Sequence, residues 1–406
     1  ELYKNPKYKE LLDLAKRVEG VARHSSTHAA AVIIADAPLT NYAPVQRDSK
    51  EGKITTQYDM YALDLNVKPD AIGLLKMDFL GLRNLSTLQN AIKLVEQSRN
   101  FRVDLSSLPL DDKKVFDMLS RGETTGVFQM ESPGMRRLAK QLKPDVFGDI
   151  VALVALYRPG PMALIPEFVK GKLEPDSIKY LHPDLKPILA ETYGIAVYQE
   201  QVLKIANVMA GYSLGEADIL RRAMGKKSVE IMNKEHKKFI QQAVKLKYTQ
   251  SLAENVWVFI ERFAGYGFNK AHATSYAMIA YQTAYLKSHY PVEYMTALMT
   301  AESGKEDKMS MALEECRTMG IKVLPPDINQ SDADFKIEED KSSLDNRAIR
   351  FGFTAVKNGG TAAIDNILVE RTGGGEYKSF PDFIARVGTQ KANKKVLERL
   401  IKVGYF

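Results

Sequence analysis

Ile72-Gly73-Leu74-Leu75-Lys76-Met77-Asp78-Phe79 is an apolar run with two charges set inside it. Read as a strand, its period of two puts Lys76 and Asp78 on one face. Two earlier pieces read the same way: Ala29 to Ala35, rich in β-branched residues, and Lys53 to Gln57, with Pro38 and Pro44 breaking the pattern between them. Ahead of all three, apolar positions at helical spacing (Leu11, Leu12, Leu14, Ala15, Val18) predict a helix over 7–18. From about Asn84 onward the pattern turns helical, with long candidates at 86–98, 132–141, 197–209, 228–247, 272–288 and 291–302. Ile150 to Tyr157 has the length of a buried element. Pro325-Pro326 marks a break. Short strand-like pieces follow at Phe335 to Ile337 and Ala348 to Phe353, and two or three helices close the chain. The expected fold class is α+β, mostly α: a small mixed α/β piece, a large helical body, and a small terminal module.

Composition narrows the chemistry. The chain has 406 residues, 45% hydrophobic and 26% charged, as in ordinary globular proteins. No apolar run approaches the roughly 20 residues of a membrane span. One cysteine, Cys316, excludes a disulfide framework and a Cys-rich zinc site. No signal-peptide pattern opens the chain. Both ends read as cuts through something longer. The formal net charge is +7, and its placement matters more than its size. Gln201 to Gln250 holds ten Lys or Arg against four Asp or Glu. A concentrated positive field attracts phosphates; a solvated helical face is the plainer explanation.

A carboxylate inside an apolar strand is costly unless paired or bound to a cation. Lys76 and Asp78 presented together suit metal-assisted phosphoryl chemistry, the acid holding Mg²⁺ and the base meeting a phosphate. A structural ion pair, or Asp78 capping the next helix, is the blander alternative. A two-metal site needs more carboxylates. Asp332-Ala333-Asp334 has the form but lies among polar residues after the double proline, so we read it as a turn.

The densest basic cluster is Leu220-Arg221-Arg222-Ala223-Met224-Gly225-Lys226-Lys227, with Gly225 a possible helix stop. Arginine forks match phosphate oxygens. Leu220 stands where a P-loop needs glycine, so any grip on a triphosphate or a nucleic-acid backbone is of another kind. Basic residues are also favoured at helix C-termini. Gly265-Tyr266-Gly267-Phe268-Asn269-Lys270-Ala271-His272 is not GxGxxG, which excludes a Rossmann reading. Its glycines allow close backbone approach, and Tyr266, Phe268 and His272 could stack on a base or sugar. Tyr276, Tyr281 and Tyr285 continue along that helix, where core packing is the favoured role for most. Tyr157-Arg158-Pro159-Gly160-Pro161 makes a rigid turn that fixes where Arg158 points, or simply stops a helix. His24 and His28 are four apart with no third ligand, and His182, His236 and His289 form no pattern. Ala355 to Ile364 partly matches a helix-hairpin-helix, with Asn358-Gly359-Gly360 where glycine, apolar, glycine is usual.

These motifs in this order resemble the alpha-subunit family of bacterial DNA polymerase III, the family C replicative polymerases. The match is carried by Lys76 to Arg83, Gly126 to Ser132, Ala155 to Pro161, Tyr198 to Gln201, Leu220 to Lys227, Phe263 to Lys270 and Leu324 to Asn329. It covers essentially the whole chain. The resemblance implies the end of a thumb (1–20), the last part of a nucleotidyltransferase-type palm (21–85), fingers (86–345) and the start of a helix-hairpin-helix DNA-binding region (346–406). It implies a DNA-directed DNA polymerase in the full-length protein, extending a primer 3′ end by two-metal phosphoryl transfer with Mg²⁺ and deoxynucleoside triphosphates.

The family's metal site uses three aspartates. Two are expected upstream of residue 1 and Asp78 is the third, so the segment alone should be inactive. The resemblance implies catalytic roles for Asp78 and Lys76. It implies contacts to the incoming nucleotide or DNA phosphate for Arg221, Arg222, Lys226, Lys227, His272 and Arg158. Implied partners are primer-template DNA, the incoming nucleotide, and a sliding clamp and other replisome subunits reached through regions outside this segment. The setting is cytoplasmic and nucleoid-associated, with no membrane. A non-catalytic helical DNA-binding or adaptor protein is the alternative.

Overall fold

The computed structural model describes the chain except residues 1, 22–26, 29, 49–51, 66–69, 80, 227–228, 265–266, 356–360, 389–391 and 393, and except the side chains of residues 223–226, 229–230, 264 and 361. It divides into two compact units, Glu1–Leu82 and Arg83–Phe406. Among the described residues, no helix is long and apolar enough to cross a membrane.

The first unit runs α1 (Pro6–Val18), β1 (Ala31–Ile34), β2 (Val45–Arg47), β3 (Ile54–Thr56), α2 (Met60–Leu63) and β4 (Leu75–Asp78). Asn5 starts α1 by accepting the Lys7 N–H, with Pro6 in the first turn, a position that needs no N–H donor. The two sheets have two strands each. β1 and β4 are antiparallel in the register Ala31↔Asp78, Val32↔Met77, Ile33↔Lys76 and Ile34↔Leu75, and β2 pairs with β3. That register gives the β1–β4 ribbon two unlike faces. One face carries Ile33, Lys76 and Asp78, and Ile33 packs on a small core of Ala43, Leu63 and Leu74. The other carries Val32, Ile34, Leu75 and Met77, all exposed.

The second unit begins with α3 (Arg83–Arg99), α4 (Lys113–Ser120), α5 (Pro133–Leu142), α6 (Phe147–Leu156), α7 (Ile165–Leu173), α8 (Lys186–Leu189), α9 (Gln199–Ala210) and α10 (Leu214–Lys226). It continues with α11 (Val229–Lys245), α12 (Gln250–Ala264), α13 (Lys270–His289), α14 (Pro291–Ala301) and α15 (Glu306–Thr318). Three strands follow, β5 (Val323–Leu324), β6 (Lys336–Glu339) and β7 (Arg347–Arg350), in the order β5-β7-β6. Then come α16 (Thr361–Gly374), α17 (Phe380–Val387) and α18 (Lys394–Val403). The mostly helical α+β class read from the sequence is the one observed. Gly225 is not a stop, because α10 runs through it to Lys226.

The largest core gathers α4 to α13 around α6 and α13. α6 is apolar on nearly every side, and six of its aliphatic residues, Ile150 to Leu153 with Ala155 and Leu156, are buried. Each fully buried Leu, Ile or Val contributes roughly 2 kcal/mol. Asp149, buried in its first turn, accepts the Tyr193 hydroxyl at 2.8 Å and pairs with Lys172, so its charge is compensated. A second core joins α3, α14, α15 and the three-stranded sheet. Glu293, wholly buried, ties it together through Arg99 at 2.7 Å, Arg347 at 2.6 Å and Ser98 at 2.8 Å. A third holds α16 to α18 against Ile328 and Phe353.

Candidate functional site

Lys76 and Asp78 share a face, as their spacing requires. The Lys76 ammonium donates to both Asp78 oxygens, at 2.8 and 2.9 Å. Lys76 is mostly covered and Asp78 is 54% exposed, so the acid is not a buried charge. The Lys76 hydrogen bond, opposed in part by desolvation, holds the Asp78 carboxyl below its usual range. His28 Nδ1 lies 3.9 Å from Asp78 Oδ1, and that nitrogen accepts the Ala30 and Ala31 N–H groups at 3.2 and 2.9 Å. His24 lies outside the described residues.

Among the described residues, Lys76 and Asp78 do not by themselves make a magnesium site. Both oxygens of the one carboxylate are engaged by Lys76, and a two-ion site needs several oxygen ligands. Among the described residues, no group of three or more His, Cys, Asp and Glu could hold a metal. The Asp332–Asp334 segment is an irregular bend leading into β6: Asp332 accepts from Arg371 at 2.8 Å and Asp334 from the Thr354 hydroxyl at 3.0 Å.

In the second unit the basic cluster is a helix face. Arg221 and Arg222 stand on α10, 35% and 63% exposed, and converge on one carboxylate. Asp218 Oδ1 accepts from Arg221 Nε at 2.8 Å and pairs with its Nη2 at 2.8 Å, and Asp218 Oδ2 pairs with Arg222 Nη2 at 2.8 Å. The spacings are i,i+3 and i,i+4, the two that meet on a helix surface. Ion pairs this exposed contribute about 0.3–0.5 kcal/mol each. Arg221, ahead of Arg222, holds the Asp218 carboxyl below its usual range. The Lys226 side chain and Lys227 lie outside the described residues.

Arg158 and His272, far apart in sequence, meet through Phe268. The Arg158 guanidinium sits 4.4 Å over the Phe268 ring, and its Nε donates to the Ala155 carbonyl at 2.8 Å. Phe268 meets His272 edge-on at 5.5 Å, His272 lies over Tyr276 at 4.3 Å, and Tyr276 reaches Phe128 at 5.4 Å. The result is a cation–aromatic stack with His272 on its exposed side. Burial pushes the Arg158 pKa down, yet guanidinium stays charged in proteins. The neighbouring Tyr281 is core, wholly buried against Phe116.

Local rules explain the placement. Gly160 adopts φ +99°, turning the chain after Arg158 into a 3₁₀ turn at Pro161–Leu164. Phe268 is held by a backbone bridge to Tyr198: Gln199 N–H donates to Phe268 O at 2.9 Å and Phe268 N–H to Val197 O at 3.1 Å. Gly267 permits this approach, since a Cβ there would stand 3.2 Å from Gln199 Cγ. The Glu200 carboxylate accepts the Lys270 N–H at 3.0 Å and so anchors the N-terminus of α13. Asn269 caps that helix by accepting the His272 N–H at 2.8 Å. Beneath the bridge, Gln201 is 2% exposed. Its carbonyl accepts the Val197 and Tyr198 N–H groups at 2.8 and 3.0 Å, and its amide donates to Ile188 O and Thr192 Oγ1 at 3.0 and 2.7 Å.

The sequence reading gave no role to three residues that hold these groups. Asp218 was detectable, because an acid three and four residues before two arginines is a helix pairing signal. Gln201 was detectable too, since a glutamine at the third position of a helix accepts N–H groups three and four residues back, whereas Glu200 acts on Lys270, 70 residues away, which leaves no local signal.

An exposed guanidinium pair and a cation–aromatic stack on a helical scaffold suit a protein that handles oxyanions and flat rings. Comparison with known proteins narrows that class. Residues 1–81 match the model of the bacterial DNA polymerase III alpha NTPase domain, 84–247 that of the alpha subunit finger domain, and 320–406 that of a helix-hairpin-helix motif. The DNA polymerase III subunit alpha of Thermus aquaticus is 48% identical over 100% of this chain and 32% of its own length. Those of Aquifex aeolicus and Bacillus subtilis are each 44% identical, over 99% and 97% of this chain and 34% of their own lengths. The chain thus spans about a third of the length of these relatives. It belongs to the bacterial DNA polymerase III alpha family.

Proposed function

We propose that this chain is the nucleotide-handling stretch of a replicative DNA-directed DNA polymerase, which adds deoxynucleotides to a primer 3′ end. The observation that carries the reading is the convergence of Arg221 and Arg222 on one carboxylate at an exposed helix face. Two guanidiniums that fit two carboxylate oxygens fit two phosphate oxygens equally well. In this reading they neutralise the triphosphate with Lys226 and Lys227, while Arg158 and His272 act at the stack against the incoming nucleotide or a DNA phosphate. Lys76 meets the primer terminus or triphosphate. Asp78 supplies one carboxylate toward magnesium, and the other ligands come from residues outside this stretch. The helix-hairpin-helix region grips primer-template DNA, its turn at 358–360 lying outside the described residues. A sliding clamp and other replisome subunits bind elsewhere on the full-length protein, in the cytoplasm at the nucleoid.

The test is the R221A/R222A variant of the complete polymerase. Charge-assisted hydrogen bonds contribute about 1.5–3 kcal/mol, so the nucleotide KM should rise roughly 10- to 100-fold while primer-template affinity holds within about twofold. An unchanged KM refutes the assignment. The isolated 406 residues should not extend a primer, and clear extension would overturn that part. They should still bind DNA, with affinity falling steeply as salt rises.

A second reading, a non-catalytic DNA-binding or adaptor module, draws on the closed Lys76–Asp78 pair. Asp78→Asn in the complete polymerase tests the metal role: loss of extension with DNA binding retained supports it, and survival of both extension and DNA binding refutes it, leaving Asp78 a structural ion pair.

A further inference from the structure

We propose that Asp218 is a built-in competitor of the triphosphate, occupying the Arg221–Arg222 pair between nucleotides and weakening its grip. The inference rests on the reading of those arginines given above. Three observations carry it. Both carboxylate oxygens of Asp218 are engaged, one by each arginine, so the acid fills the positions two phosphate oxygens would take. Glu216, the only other acid on α10, is committed elsewhere, accepting Lys238 Nζ at 2.9 Å and the Ser213 N–H and hydroxyl at 2.9 Å. The Asp218–arginine pairs are also exposed and built from side chains one helical turn apart, so they open without unfolding anything.

The consequence is an exchange of partners. An arriving polyphosphate, with several charges, outcompetes one carboxylate. When the phosphates leave, Asp218 returns to the guanidiniums and speeds their departure. The acid touches no substrate; it sets the charge the arginines offer.

The experiment is calorimetric titration of the 406-residue chain with inorganic tripolyphosphate and with dATP. D218N should tighten both by about fivefold, the ceiling for removing an exposed ion-pair partner. D218E, still able to reach both arginines, should bind as the original chain does. D218S, shorter than either, should behave like D218N. A merely structural role predicts weaker or unchanged binding in D218N with helical circular dichroism retained, and that result overturns the proposal. R221A/R222A separates the two layers. If it abolishes binding while D218N changes nothing, the competitor role fails and the triphosphate reading stands. If it binds as the original chain does, or if no variant binds either probe, both fail.

Discussion

Gln201→Leu tests whether the bridge beneath the cation–aromatic stack is held by one amide. Leucine fills similar space but removes four hydrogen bonds. Thr192 keeps its own donation to the Ile195 carbonyl at 2.5 Å, so it loses little. The Val197 and Tyr198 N–H groups, in buried backbone, lose their acceptor. Each unpaired buried group costs about 1–3 kcal/mol. The extra apolar burial of leucine offsets roughly 1 kcal/mol. The net expectation is a loss of about 3 kcal/mol. Trp257, the chain's single tryptophan, lies 4% exposed in the same core, so its fluorescence follows unfolding of that region. With a urea slope of about 3 kcal/mol per molar, the midpoint should fall by about 1 M with the slope unchanged. A loss below about 1 kcal/mol would mean that the N–H groups find other acceptors, and the reasoning fails.

Other expectations are more local. Lys238 and Ser213 hold the Glu216 carboxyl down at about 2. A carboxyl depressed on folding adds stability above its unfolded pKa that is lost as pH falls through the folded one, so Glu216→Gln should flatten acid unfolding between pH near 4.5 and about 2, read by helical ellipticity. Gly134→Ala would place a Cβ 1.8 Å from the Tyr157 hydroxyl, beside Arg158. It should cost about 1–3 kcal/mol in urea unfolding and weaken nucleotide binding by the complete polymerase. Burial pushes the Cys316 thiol up to about 12, so a thiol reagent at pH 8 should leave the folded chain unlabelled and react fully in denaturant.

Sequence pattern carried much of this structure, and its failures have physical causes. The strands at Ala31–Ile34 and Leu75–Asp78 were visible because β-branched and apolar residues alternate or run together there. Val45–Arg47 was not: it is three residues long, follows Pro44, and exists only because Ile54–Thr56 pairs with it. The helices at α3, α9, α13 and α14 were legible from periodicity. α12 and α15 were not among the long candidates, α15 carrying a mixed acidic and apolar sequence that only the second core sorts into faces. At the candidate site, spacing was enough to unite Lys76 with Asp78. The meeting of Arg158 and His272 needed Phe268 fixed by a bridge 70 residues away along the chain, which no local rule reports.

The two-faced ribbon of β1 and β4 divides labour by parity. Alternate positions of the same eight residues do different things: Lys76 and Asp78 present base and acid on one side, while the other offers Val32, Ile34, Leu75 and Met77 to water. A designer could therefore recolour the oily side with threonines or lysines to make the isolated stretch easier to handle, without touching the acid–base pair. The same parity makes a single-residue insertion in either strand unusually damaging, because it would trade the two sides wholesale.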